Sequence, residues 1–378
     1  PNQPASGTWL IKAHNATCIS VDGGTNNAAG GRIADITIYS DKSTYPSGNG
    51  IVVDKVSEER IERVNIRGVG GDGFVIGVTA GDVTTHCYLY DCYVNNAGGK
   101  AFNVRAKWTR MYIPRSDGGT HGLYLNTAQQ CVVYDFHFEG FTTAAVVFDG
   151  AGHTKLHRGY IGNTANASRG IVFENVSGTY FNTVEKVHFP GGPASSKAIE
   201  VKGNNNVGIH VCQCMIESYP IGIDLGGGAA HQVYGCDFYG NALDVSIASD
   251  RSRVLHNRME ATTGSYSINY VTGISGIWRD NDLSKPIGPT AGSHSNNLAI
   301  DNVGYKTRAA GITPGVTTGT TVAHGLVAAP EGVNIAVTTA GSVADLRWSA
   351  DATNITFSWS GGATHQISWS AWNRCARP

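Results

Sequence analysis

Carboxylates recur along the middle of this 378-residue chain at a suggestive spacing: Asp149, Glu174, Glu200, Asp224 and Asp244 follow one another at intervals of 20 to 26 residues. If the chain returns to the same place once per interval, these acids stack on one face. Paired carboxyl groups are the reagents of glycoside hydrolysis, about 5–5.5 Å apart for retention and about 6.5–9.5 Å for inversion. Crowding raises the pKa of one of them towards what a general acid needs. A second series, Tyr93, Tyr112, His137, Tyr160 and His188, repeats at a similar step. Flat rings with polar edges suit an extended saccharide, and His137 between Tyr112 and Tyr160 offers the base and acid of uronate β-elimination. Lys202 lies beside Glu174 and Glu200, where it either binds substrate or turns the acids into an ion-pair cluster.

Two interleaved cassettes would position these groups. The first, small-apolar-x-apolar, runs from Gly50-Ile51-Val52-Val53 through Gly122-Leu123-Tyr124-Leu125 to Ala242-Leu243-Asp244-Val245. The second, apolar-x-x-apolar-x-apolar, includes Leu89/Cys92/Val94, Trp108/Met111/Ile113 and Val233/Cys236/Phe238, with a weaker copy at Trp278/Asn281/Leu283 closing the run. Variable-length repeats of alternating residues read as a solenoid of strands. The two-residue step inside the second cassette fits a bend. The register makes Glu200, Asp224 and Asp244 one outward ladder, Asp149, Glu174 and Lys202 another, and Tyr93 to His188 five consecutive rungs of a third. Asp91, Arg110, Asp135 and Arg158 would alternate in sign beside it.

Composition agrees with an all-β chain: 49 glycines, 3 methionines and 15% charged residues. The 28 basic and 29 acidic residues nearly balance, which leaves no footprint for nucleic acid, and no apolar run is long enough for membrane insertion. Cys92, Cys214 and Cys236 share an inward position and are expected as packed thiols, although Cys214 and Cys236 on adjacent coils would also allow a bridge. Cys212-x-Cys214 and the scattered histidines do not make a zinc pattern. Triplets beginning at Asn15, Asn166, Asn175 and Asn354 match the glycosylation pattern, a weak signal in so polar a chain.

After Leu283 the grammar changes. Residues 1–283 read as the solenoid of about ten coils, 284–303 as a Pro/Gly/Ser-rich linker, and 304–378 as a small β-sandwich of short alternating strands. Trp348, Trp359, Trp369 and Trp372 lie in this tail, as core residues or as stacking platforms for sugar or a partner subunit.

These cassettes resemble the right-handed parallel β-helix of the pectate-lyase-like class. The tail, with Thr320-Thr321-Val322-Ala323-His324-Gly325-Leu326 and Ala329-Pro330, is similar to the sandwich that ends many bacteriophage tailspike and tail-fibre proteins. The resemblance implies a homotrimer, on a virion or extracellular, that binds and cleaves a cell-surface polysaccharide. Pro1-Asn2-Gln3-Pro4 reads as the start of a trimmed segment, so a virion-attaching region is expected upstream. Hydrolysis by the paired carboxylates needs no cofactor; elimination would admit a divalent cation such as calcium on the acidic ladder. A non-catalytic trimeric stalk, adhesin or virion protein that only binds receptors is the competing class.

Overall fold

The computed structural model describes residues 8–24, 28–78, 84–162, 169–174, 179–194, 196–270, 275–288, 297–300, 302, 308–326, 329–338, 344–361 and 363–372. Asn166, Asn175 and the residues Pro1 to Pro4 lie outside them. The described chain winds as a right-handed parallel β-helix, without α-helices, and ends in two small antiparallel sheets.

One coil shows the plan. The strand Lys100–Val104 is followed by a single bridging residue at Lys107, the strand Arg110–Tyr112, and the strand Arg115–Asn126, which carries the chain into the next coil. Every strand pairs in parallel with its equivalents above and below, so Phe74, Phe102, Leu123, Val146, Ile171, Ile199, Ile223, Val245 and Ile268 form one continuous interior column. Aromatic rings stack within the core, Phe148 on Phe173 at 4.4 Å between centroids. The small residue of the first cassette has a steric cause: a Cβ on Gly170 would lie 2.4 Å from the Ala198 carbonyl oxygen and 2.9 Å from the Phe189 ring.

The step inside the second cassette is the expected bend. Asp35, Arg63, Asp91, Ile113, Asp135, Arg158, Lys186 and Gln213 all adopt left-handed backbone there, with φ between 47° and 58°. That conformation costs about 1–2 kcal/mol for an L-residue. It also points each N–H at the next coil, as from Asp91 to the Tyr112 carbonyl at 2.9 Å. Behind the bend Cys92, Cys214 and Cys236 are buried free thiols, and burial pushes Cys92 up to about 12. Farther along, Asn257, Asn281 and Asn302 form an internal amide ladder, each Nδ2 donating to the next Oδ1 at 2.9 and 2.8 Å.

The structure corrects the expected register in two places. Leu243 pairs with Ile221, Val245 with Ile223 and Ser246 with Asp224, so Asp244 is not the third rung of the acidic ladder. It takes the place that Gly222 holds one coil earlier and is fully buried. A two-residue slip leaves every side chain on the same face, so alternation could not detect it. Likewise Met111 pairs with Leu89 and Val133, which puts Tyr112 between Tyr90 and Tyr134. Arg115 is the rung between Tyr93 and His137. The inward positions of that coil hold Pro114 and buried Ser116, and the apolar signature failed there. The sign alternation shifts with it: Asp91 pairs with Arg115, not Arg110, at 2.6 Å, whereas Asp135 keeps Arg158 at 2.8 Å.

Parallel pairing also runs past residue 283. Ile287–Gly288 pairs with Ile268–Tyr270, and Asn297–Ile300 with Gly276–Arg279. The tail forms two three-stranded sheets, Arg308–Val316, His365–Trp372 and Gly332–Val337 in one, Thr321–Ala323, Asn354–Ser360 and Ala344–Ala350 in the other. Trp359 and Trp369 are core residues of this sandwich, while Trp348 is exposed.

Candidate active site

The first-cassette face carries three outward columns. Register aligns Lys100, His121, Ala144 and Arg169 in one, and Asn103, Tyr124, Val147, Val172, Glu200 and Asp224 in the second. The third holds Asn126 and Asp149, followed by Glu174 and Lys202. A cleft of about 400 Å³ opens across them, lined by Lys100, His121, Tyr124, Asp149, Glu174 and Lys202 among others. Its floor is Ala144, Val147 and Val172, only 1–3% exposed although they point away from the main core. A bulge sits beside the cleft, where Gly119 pairs with Phe141 but His121 with Ala144. Bulges of this kind re-aim side chains next to working sites.

The walls are polar and mostly paired. The Tyr124 hydroxyl donates to Asp149 Oδ2 at 2.8 Å, while Asp149 Oδ1 is buried with no hydrogen-bond partner. The Lys202 ammonium donates to Glu174 Oε1 at 2.7 Å. Lys100 Nζ stands 4.1 Å over the Tyr124 ring, and the His121 ring meets the same ring edge-on at 5.4 Å. Burial, and then the Lys100 charge, lowers His121 to about 4. Burial, and then the hydrogen bond to Asp149, raises Tyr124 far above the usual phenol range. Near neutral pH the cleft therefore presents a neutral imidazole beside a protonated phenol. His121 Nδ1 lies 3.0 Å from Thr120 Oγ1; in the tautomer that donates there, Nε2 holds the free lone pair.

Of the residues expected from sequence, Asp149, Glu174 and Lys202 meet in this cleft. Glu200 and Asp224 are adjacent rungs, but Lys197 bridges them and Arg169 also contacts Glu200, which is 6% exposed. Burial opposes the charge on Lys197, but the hydrogen bonds it donates to Asp224 and Glu200 raise its pKa overall. This part of the ladder is an ion-pair network. Among the described residues no group of three His, Cys, Asp or Glu side chains is placed to hold a metal ion. Glu200 and Asp224, two of the acids expected on the cation-binding ladder, face Lys197 and Arg169 instead, and Asp244 is buried against Asn241.

His137, Tyr160 and His188 do follow one another, with centroids 4.6 and 5.6 Å apart, on a neighbouring face reached through the corner 117–121. Tyr93 precedes them beyond Arg115, whose guanidinium lies 6.0 Å from its ring. Tyr112 stacks instead between Tyr90 and Tyr134, nearly parallel at 4.9 and 5.2 Å. The Tyr112 ring is thus covered on both faces and offers only its edge. Sequence reasoning passed over Tyr124 as well as Lys100 and His121. The last two each stand immediately before the small residue of their cassette, so reading that third outward column would have found them.

No protein-family profile matches the sequence, and no curated protein sequence matches it. Solved structures do. The A-modules of the mannuronan C-5 epimerases AlgE6 and AlgE4 from Azotobacter vinelandii superpose with TM-scores of 0.54 and 0.52 at 10% and 13% identity, covering 79% and 78% of this chain and 91% of each module. The tailspike protein gp49 of Pseudomonas phage LKA1 gives a TM-score of 0.47 at 12% identity, covering 90% of this chain and 67% of its own. Likeness at this level of identity concerns architecture, and what the two epimerase modules have in common with the present chain is the parallel β-helix fold.

Proposed function

We propose that this chain binds an acidic polysaccharide in the Tyr124 cleft and cleaves it by β-elimination. One observation carries the reading: a neutral His121, a protonated Tyr124 and the Lys100 ammonium converge above an apolar floor. The floor of Ala144, Val147 and Val172 takes the C–H face of a sugar ring, and the free Asp149 Oδ1 accepts from a hydroxyl. Lys100 offsets the uronate carboxylate, which makes the C5 proton more acidic. His121 Nε2 takes that proton; the C4–O4 bond breaks as the C4=C5 double bond forms, and the electron pair on O4 is met by the Tyr124 proton.

Hydrolysis by Asp149 and Glu174 is the second reading, favoured by their adjacent rungs, about 4.8 Å apart. It needs one carboxyl that donates, whereas here Asp149 accepts from Tyr124 and Glu174 from Lys202. Incubation with bacterial surface polysaccharides tests both. Elimination produces a conjugated double bond seen by ultraviolet absorbance, and His121→Ala and Tyr124→Phe each lower its rate by about 10²-fold or more. Reducing ends without unsaturation, lost in Asp149→Asn, would establish hydrolysis instead. Binding without any depolymerisation would leave a receptor-binding stalk. A tailspike-like homotrimer with virion or extracellular location belongs to this proposal, and light scattering that finds a monomer counts against it.

A further inference from the structure

Resting on the glycan reading of the cleft, we propose that one polymer chain occupies two faces of the helix, running from the cleft over a glycine-rich corner onto the strip of Arg115, His137 and Tyr160. The corner joins Asp117 on the strip to His121 in the cleft through Gly118, Gly119 and Thr120, and the rung beneath it joins Asn95 to Lys100 through Asn96, Ala97, Gly98 and Gly99. Four residues span at most about 14 Å, a distance that a short oligosaccharide crosses. The glycines of the corner have a structural reason. A Cβ on Gly98 would lie 2.0 Å from the Gly70 carbonyl oxygen, and Gly119 has φ +118° with the Gly99 carbonyl oxygen 2.9 Å from its missing Cβ. These glycines and the short side chains beside them, Thr120 among them, keep the corner low between cleft and strip.

The strip offers what the corner leads to. The Tyr160 ring is tilted 43° from His137 and 75° from His188, so parallel stacking does not close its face. The Tyr112 ring, between Tyr90 at 2° and Tyr134 at 11°, is closed in that way. Asp117 and Glu139 are adjacent rungs beside it, and His137 Nε2 lies 3.4 Å from Glu139 Oε2. Burial, and then the Glu139 charge, raises the Asp117 carboxyl. An open ring flanked by acceptors is an arrangement that takes a hydroxyl-bearing ring with one apolar face.

Fragments of defined length, mixed in a stopped-flow instrument and read before turnover, test the inference. Kd should fall about tenfold once fragments are long enough to pass the corner. Tyr160→Ala and His137→Ala should each remove most of that gain and leave short-fragment binding and cleavage unchanged. His137 is an exposed side chain, so its variant keeps the fold. A Kd independent of length, or a full gain retained in both variants, overturns the two-face path while the cleft reading stands. Failure of fragments of every length to bind overturns the cleft reading and this one with it.

Discussion

Asp244→Asn should remove a pH dependence built into the core. Asp244 is fully buried; it accepts from Asn241 Nδ2 at 3.1 Å, and its Oδ2 has no partner. Burial outweighs the hydrogen bonds from Asn241, Ser267 and the Ala261 backbone and raises its pKa from 3.8 to about 7. Above about pH 4 the unfolded chain has released this proton, whereas the folded chain keeps it to about pH 7. In that window the native state binds more protons, so stability falls as pH rises and then levels off. A shift of about three units corresponds to about 4 kcal/mol at most. The asparagine removes this penalty but places an amide N–H where Oδ2 is unpartnered, at a cost of about 1–3 kcal/mol. A net gain of about 1–3 kcal/mol above pH 7 follows, shrinking to nothing or reversing near pH 4. Because the effect is local to these coils, the measurement is hydrogen exchange of the strands Leu243–Ile247 and Ile268–Tyr270 at several pH values in both proteins. Parallel pH profiles for wild type and variant would refute the reasoning.

Other perturbations probe the same physics elsewhere. Asn281→Ala leaves the Asn257 N–H and the Asn302 Oδ1 without the partners they have at 3.0 and 2.8 Å and should cost about 2–4 kcal/mol, read by denaturation of the C-terminal coils. Glu200→Ala takes the carboxylate from Arg169 and one of the two from Lys197, which keeps Asp224, and should destabilise by about 1–3 kcal/mol, whereas Lys202→Ala, on a half-exposed pair, should cost under about 1 kcal/mol. Gly98→Ala forces its corner away from Gly70 and should lower the melting temperature more than Ala substitution at exposed Thr142. In activity assays, His121→Ala should abolish unsaturated product while oligosaccharide binding persists.

Much of the architecture was legible because alternation and a 20–28-residue return are direct consequences of strand geometry. The bend, the buried thiols of Cys92, Cys214 and Cys236, and the sandwich strands around Ile355 and Ile367 followed from it. Less of the site was legible. Asp149, Glu174 and Lys202 were grouped correctly, since the first cassette holds its register through those coils. Asp244 was misplaced because a two-residue slip preserves the pattern, and Tyr112 because Pro114 and Ser116 hide the inward positions of their coil. Lys100 and His121 were missed because only two of the three outward columns had been read.

Sequence by itself determined what repeats, and hence the parallel helix, its interior and the stacking of residues one coil apart. Tertiary structure decided what each stacked residue meets. Whether a carboxylate is a reagent or half of an ion pair depends on the cation beside it: Glu200 lies between Lys197 and Arg169, while Asp149 keeps one oxygen free in a cleft. Whether a tyrosine presents a face or an edge depends on ring tilt, which separates Tyr160 from Tyr112. Periodicity carries information along the helix axis, whereas partners, burial and tilt arise from contacts across it, between residues whose separation in sequence follows no fixed period.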